Sequence, residues 1–128
     1  MANLDEALAT ALRLHQAGRL QDAEPIYQQI LKSEPDHVDA LHLLGVLAHQ
    51  RGDHARAVAF IARAIGLDGS QAAFHNNLGN ALGSQGQLAE AIASYQRALQ
   101  LRPNYAEAHN NLAIAFKDQG FIEESIAS

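Results

Sequence analysis

HNNLGNALGSQGQ (His75–Gln87) and HNNLAIAFKDQGF (His109–Phe121) begin with the same tetrapeptide, and 34 residues separate their first residues. A repeat of that length is either a duplicated site or a duplicated structural unit, and shifting the whole chain by 34 decides between them. Gly18, Gly52, Gly86 and Gly120 fall in register, as do Ala23, Ala57 and Ala91, with Ser125 in the fourth place. Tyr27, Ile61 and Tyr95 form another column, Leu31, Ile65 and Leu99 a further one, and Pro35, Gly69 and Pro103 close the unit. The copies are 4–37, 38–71, 72–105 and a partial 106–128, about 3.7 in all, read as one domain over 1–128.

Inside each copy apolar residues recur at steps of three and four, as in Leu41, Leu44, Ala48 and again in Ala57, Phe60, Ile61, Ala64. That is helical periodicity, and it occurs twice per copy. The glycine column lies between the two apolar runs, where a residue able to take positive φ ends one helix and turns into the next. Asp36, Ser70 and Asn104, spaced by 34, are suited to cap helix starts, and Asn3 with Glu6 has the same signature. The expectation is an all-α chain of antiparallel helix pairs. Gly45 and Gly79 fall inside helices, where glycine costs about 1 kcal/mol relative to alanine. They imply close approach of a second backbone, with Ala57 and Ala91 as the facing small residues.

These columns resemble the tetratricopeptide repeat (TPR), a 34-residue helix–turn–helix with the pattern W-x2-L-G-x2-Y…A-x3-F…P. Numbered from Ala72, the third copy places Leu78 and Gly79 at positions 7 and 8, Leu82 at 11, Ala91 at 20, Tyr95 at 24 and Pro103 at 32. Tryptophan at position 4 of the pattern is Ala7, Leu41, His75 and His109 here, and the first copy has Thr10 and Ala11 in place of Leu-Gly. The resemblance implies a right-handed superhelical α-solenoid whose first helices line a concave groove that holds extended peptides or partner proteins.

On a 3.6-residue wheel, positions 4, 7, 8 and 11 share the packing side of the first helix, and positions 2, 5, 6, 9, 12 and 13 lie opposite. In the first two copies the second set includes Leu12, His42, Leu43, Val46 and His49, an apolar row with a polar rim. In the last two it includes Asn76, Asn77, Asn80, Asn110, Asn111, Ile114 and Lys117, a row of amides. In HNNL, then, histidine and leucine fall at packing positions and both asparagines point into the groove. An amide can both donate and accept, so a ladder such as Asn77 with Asn111 can grip a peptide backbone. Helices ~8–10 Å apart and ~3.3 Å per extended residue give about three peptide residues per repeat. The competing reading is that these amides cap helices or solvate the surface.

The stretches DALHLLGVLAHQRGDHARAV (Asp39–Val58) and YAEAHNNLAIAFKDQG (Tyr105–Gly120) are similar to the repeats that precede the catalytic domain of O-GlcNAc transferases and their bacterial relatives. This implies a scaffold that delivers substrates as the N-terminal part of a larger transferase-like protein. The carboxylate clamp of chaperone-binding arrays needs groove cations, and Lys117 is the only one in these rows.

Composition limits the other readings. There is no cysteine, which removes thiolate sites and disulfides, and the formal net charge of −5 argues against a polyanion as partner. The acid-bearing start, MANLDEALAT, and the lack of a long apolar run predict a cytoplasmic chain with no membrane partner. Of seven histidines, His42 and His49 share a helical face but have no third ligand at short spacing, so no metal or cofactor is expected. GNALGSQG (Gly79–Gly86) has no lysine after it and lies within a helical pattern, so it is not a phosphate loop. No catalytic residues emerge, and the chain is read as no enzyme. The last copy fills 23 of 34 positions, with a second helix expected to begin at about Phe121. Phe121, Ile122 and Ile126 then mark an uncapped edge, belonging to a longer chain or covered by a second copy. That edge gives the alternative function, a structural module for homo-oligomeric self-association.

Overall fold

A computed structural model describes residues 3–127, with side chains described through Glu123. Seven helices follow one another, with no strand among the described residues. They are α1 (Leu4–Gln16), α2 (Leu20–Ser33), α3 (Val38–Gln50), α4 (His54–Leu67), α5 (Ala72–Ser84), α6 (Leu88–Leu101) and α7 (Ala106–Ala127). The chain divides into two compact units, Met1–Asp68 and Gly69–Ser128. In the first, α1 packs on α2, α3 on α4, and α3 also touches α1 and α2; in the second, α6 packs against both α5 and α7, and α5 touches α7.

Three turns repeat one geometry. Gly18, Gly52 and Gly86 have φ of 79°, 85° and 81°. The residue after each, Arg19, Asp53 or Gln87, donates its N–H to the carbonyl of Leu14, Ala48 or Leu82 at 2.8–3.0 Å. This closes the helix end with a carbonyl bond that only a left-handed glycine permits without strain. The fourth glycine departs from the expectation. Gly120 has no positive φ, and α7 runs through it without a break, so no separate helix begins at Phe121. A turn costs backbone entropy, which a second helix must offset by burying an apolar face. Just after Gly120 no such face is buried at Phe121 or Ile122, which are both more than half exposed.

Helix starts also shift. Asn3 caps α1 as expected, its Oδ1 accepting the N–H of Asp5 at 2.8 Å. Asp36 and Ser70, however, lie one residue short of the caps, which are His37 and Gln71. His37 Nδ1 accepts from the Ala40 N–H at 3.2 Å, while Asp36 pairs instead with Arg63 at 3.2 Å.

The small columns mark where the helices come closest. A Cβ on Gly45 would lie 2.5 Å from Ile61 Cγ1 and 3.2 Å from the Ala57 carbonyl; on Gly79 it would lie 2.5–2.8 Å from three ring atoms of Tyr95. The expected close approach is present, but the position-24 side chain fills it more than the alanine column does. Ala57 and Ala91 are fully buried nearby, and a Cβ on Gly83 would meet Ala91 at 3.9 Å. Ala11, Ala23 and Tyr27 of the first copy form a buried cluster with Leu44 and Leu47 of the second, and Leu8, Leu14, Ile26 and Phe60 pack against it. Ala57→Leu or Ala91→Leu should cost about 1–3 kcal/mol by overpacking, read as a lower urea midpoint with the helical circular dichroism retained.

Candidate partner-binding site

The first helix of each copy supplies the predicted row, and each unit builds its part differently. In the first unit Leu12, Leu43 and Val46 are half-buried, and His42 is buried at 9% exposure. Leu43 packs onto the central cluster. His15 ties α1 to α3: its Nε2 lies 2.6 Å from Gln50 Oε1 and its Nδ1 2.9 Å from the Tyr27 hydroxyl. An amide oxygen can only accept, so Nε2 carries the proton and Nδ1 accepts from the tyrosine. Burial pushes the Tyr27 hydroxyl up to about 12, keeping it a donor. His42 is pushed down to about 4 by burial and by His15, against the opposing pull of Asp39. His49, half-buried and lowered by burial and by His54, turns toward His54 across the α3–α4 turn, with the two Nδ1 atoms 2.9 Å apart.

In the second unit the amide row is a connected network. Asn111 on α7 donates from Nδ2 to Asn76 Oδ1 at 3.1 Å and to Asn80 Oδ1 at 3.2 Å on α5. Asn80 Oδ1 also accepts the Tyr95 hydroxyl at 2.7 Å. Burial, with a contribution from Glu107, pushes that hydroxyl up to about 12. The expectation that every HNNL asparagine faces an open groove fails at Asn76, which has 0% exposure. It lies under Asn111, so the neighbouring helix covers what the wheel of α5 alone shows as outward. Its Nδ2 is the one buried side-chain donor among the described residues with no hydrogen-bond partner. Asn77, Asn80 and Asn111 are half-buried, and Asn110, Ile114 and Lys117 are exposed.

The histidines of HNNL have a role that the sequence did not disclose. His75 Nε2 donates to the Gly69 carbonyl at 2.9 Å, and His109 Nε2 to the Pro103 carbonyl at 2.8 Å. Each fastens the loop that enters its own helix. The only signal for this is the constant spacing of six residues back to position 32 of the preceding copy.

At the proposed edge Phe121 and Ile122 are 58% and 51% exposed, and the side chain of Ile126 lies outside the described residues. Because α7 is continuous, Phe121 and Ile122 point about 100° apart. Phe121 instead continues the row Asn110, Ile114, Lys117, at steps of four, three and four, with Lys117 Nζ 5.9 Å from its ring centroid. Phe116, 48% exposed, was not anticipated, because its column is buried in the second and third copies as Ala48 and Leu82. Among the described residues no helix is long and apolar enough to cross a membrane, and no group of three or more His, Cys, Asp or Glu is placed to hold a metal.

Two-helix units of 34 residues, stacked through small-to-large contacts, define an α-helical repeat protein. The chain belongs to the tetratricopeptide repeat family, whose models match residues 4–72 (Tetratricopeptide repeat) and 80–120 (TPR repeat). A solved mutant of Thermobaculum terrenum O-GlcNAc transferase is 35% identical with a TM-score of 0.86, over 90% of this chain and 23% of that one. The chain thus spans about a quarter of that enzyme's length. The first TPR of Spaghetti (RPAP3), bound to the HSP90 peptide SRMEEVD, is 20% identical with a TM-score of 0.87, covering 91% of this chain and 93% of that one. The Yersinia enterocolitica type III secretion chaperone SycD, in complex with a YopD peptide, is 19% identical with a TM-score of 0.82, covering 91% and 94%. These last two show a shared fold.

Asn111→Ala leaves Asn76 Oδ1 buried without a donor and should cost about 1–3 kcal/mol, whereas exposed Asn110→Ala should stay within about 0.5 kcal/mol, both read from denaturant midpoints. His42 sets a pH dependence. Its folded pKa lies below the ordinary 6.5, so between pH 6.5 and about 4 the unfolded chain takes up a proton that the folded one refuses. Stability is fully present above pH 6.5 and falls as pH drops toward 4; the urea midpoint followed over that range should slope less in His42→Gln.

Proposed function

We propose that this chain is a protein-interaction scaffold that holds extended peptide segments or a partner protein against the inner rows of its first helices. In the second unit that row is Asn77, Asn110, Ile114 and Lys117, and in the first unit it is Leu12, Leu43 and Val46. The observation that carries the reading is the division of labour among the amides of α5 and α7. Asn76, Asn80 and Asn111 are committed to one another and to Tyr95, and they form a fixed floor. Asn110, Ile114 and Lys117 stand exposed on the same helix as Asn111. A rigid floor with a mixed amide, apolar and cationic rim suits a ligand gripped partly by its backbone.

Two chains of the same fold have been solved with peptides, which supports the mode. The acidic-tail grip is not carried over, because Lys117 is the only lysine or arginine in the inner rows. Identity of 35% to an O-GlcNAc transferase supports a place within a larger transferase-like protein, with the repeats presenting substrates to a catalytic part elsewhere. Self-association is a second reading, favoured by the exposure of Phe116 in a column that is buried in the second and third copies.

A peptide array followed by fluorescence anisotropy tests the first reading. Asn110→Ala with Lys117→Ala should weaken the peptides that bind by at least about tenfold, or 1.4 kcal/mol, with helical content unchanged. Equal binding by wild type and variant would contradict it.

A further inference from the structure

The imidazole pair at the α3–α4 turn has no role in the scaffold reading. His49 lies in the last turn of α3 and His54 opens α4. The turn at Gly52 brings their Nδ1 atoms to 2.9 Å, with ring centroids 4.8 Å apart and planes inclined by 56°. The repeat shows how unusual the second histidine is. Position 17 is Leu20, Leu88 and Ile122 in the other copies and is polar only as His54. Position 12 in the same copy is the other member of the pair, so an apolar packing residue has given way to an imidazole at the point where it meets a second one.

Two neutral imidazoles at this distance form one N–H···N hydrogen bond, one Nδ1 donating and the other accepting; once the donor ring carries its proton on Nε2 instead, both Nδ1 lone pairs face the same small space. Imidazole nitrogens bind first-row divalent ions at about 2.0–2.1 Å, so two ligands at a right angle stand about 2.9 Å apart, whereas two tetrahedral ligands stand about 3.3 Å apart. The observed separation matches the right-angle case. The ring centroids allow it: rings pointing straight at each other across 2.9 Å would have centroids about 5.2 Å apart, and rings converging on one ion at a right angle about 4.5 Å. The 4.8 Å found lies between the two values and so leaves room for convergence on one ion. Asp53 is occupied elsewhere, its Oδ1 accepting the Arg56 N–H at 3.3 Å and its Oδ2 3.9 Å from Arg56 Nε. Among the described residues no third His, Cys, Asp or Glu side chain completes the set, so the remaining positions of an ion would be left to water.

We propose that His49 and His54 form a two-histidine chelate across the α3–α4 turn for a divalent ion of tetragonal or octahedral habit, Ni(II) or Cu(II), with solvent as the other ligands. On binding, the Nδ1 proton of the donor ring passes through solvent to Nε2 of the same ring, both Nδ1 lone pairs face the ion, and the ion clips the end of α3 to the start of α4.

Ni(II) is the probe, added to the tag-free 128-residue chain. Its paramagnetism should broaden the ring proton resonances of His49 and His54 first among the seven histidines, at one ion per chain by calorimetry. His54→Leu restores the residue type of the other copies at position 17 and should fold, yet weaken Ni(II) binding at least about tenfold. His49→Gln should do the same, and His37→Gln should leave binding unchanged. Broadening spread evenly over the histidines, or full affinity retained in His54→Leu, would overturn the proposal. Peptide binding through Asn110 and Lys117 is independent of the outcome.

Discussion

The contact between position 8 of a first helix and position 24 of the second is the constraint from which the rest follows. No Cβ fits at Gly45 or Gly79 while Ile61 and Tyr95 hold their places. That distance lets the alanine columns close on neighbouring backbone and sets where the position-24 side chain can reach. Over Gly79 the Tyr95 ring lies flat enough on the helix to donate to Asn80, and this anchors the amide network. In the first copy alanine stands at position 8, and the Tyr27 hydroxyl goes to His15 at position 12 instead. One methyl group thus coincides with two different inner surfaces, a His–Gln strut in the first unit and an asparagine floor in the second.

Those struts share a logic. His15 reaches Gln50 and Asn76 meets Asn111, in both cases 35 residues away. Each joins the first helices of successive copies. Committing these groups leaves a surface with less side-chain freedom to lose on binding. The apolar inner residues of the first unit and the exposed amide, isoleucine and lysine of the second offer different chemistry within one repeat design.

Much of the architecture was legible because a period of 34 residues puts the same physical demand at the same place several times. The helices, the three glycine turns and the close approach at Gly45 and Gly79 all follow from columns in the sequence. The site was less legible. A helical wheel gives the direction of a side chain from its own axis and says nothing of the next helix, so Asn76 reads as outward although Asn111 covers it. The loop bonds of His75 and His109 are tertiary, and their partners are carbonyls that carry no sequence signal. Gly120 reads as a turn from its column, yet a glycine permits a turn without compelling one. The helix runs on through Phe121 and Ile122, which are exposed. The caps shifted by a residue because the Pro35–Asp36 stretch is itself a turn and Asp36 finds Arg63.

A double-mutant cycle of Gly79→Ala against Tyr95→Val, read by urea denaturation, tests the central contact most directly. With Tyr95 in place the added methyl meets the ring, and stability should fall. With valine at 95 the space is open, and the same substitution should raise stability by up to about 1 kcal/mol through helix propensity alone. A gain in both backgrounds would contradict the account, because it would mean that the glycine is not there to admit the tyrosine.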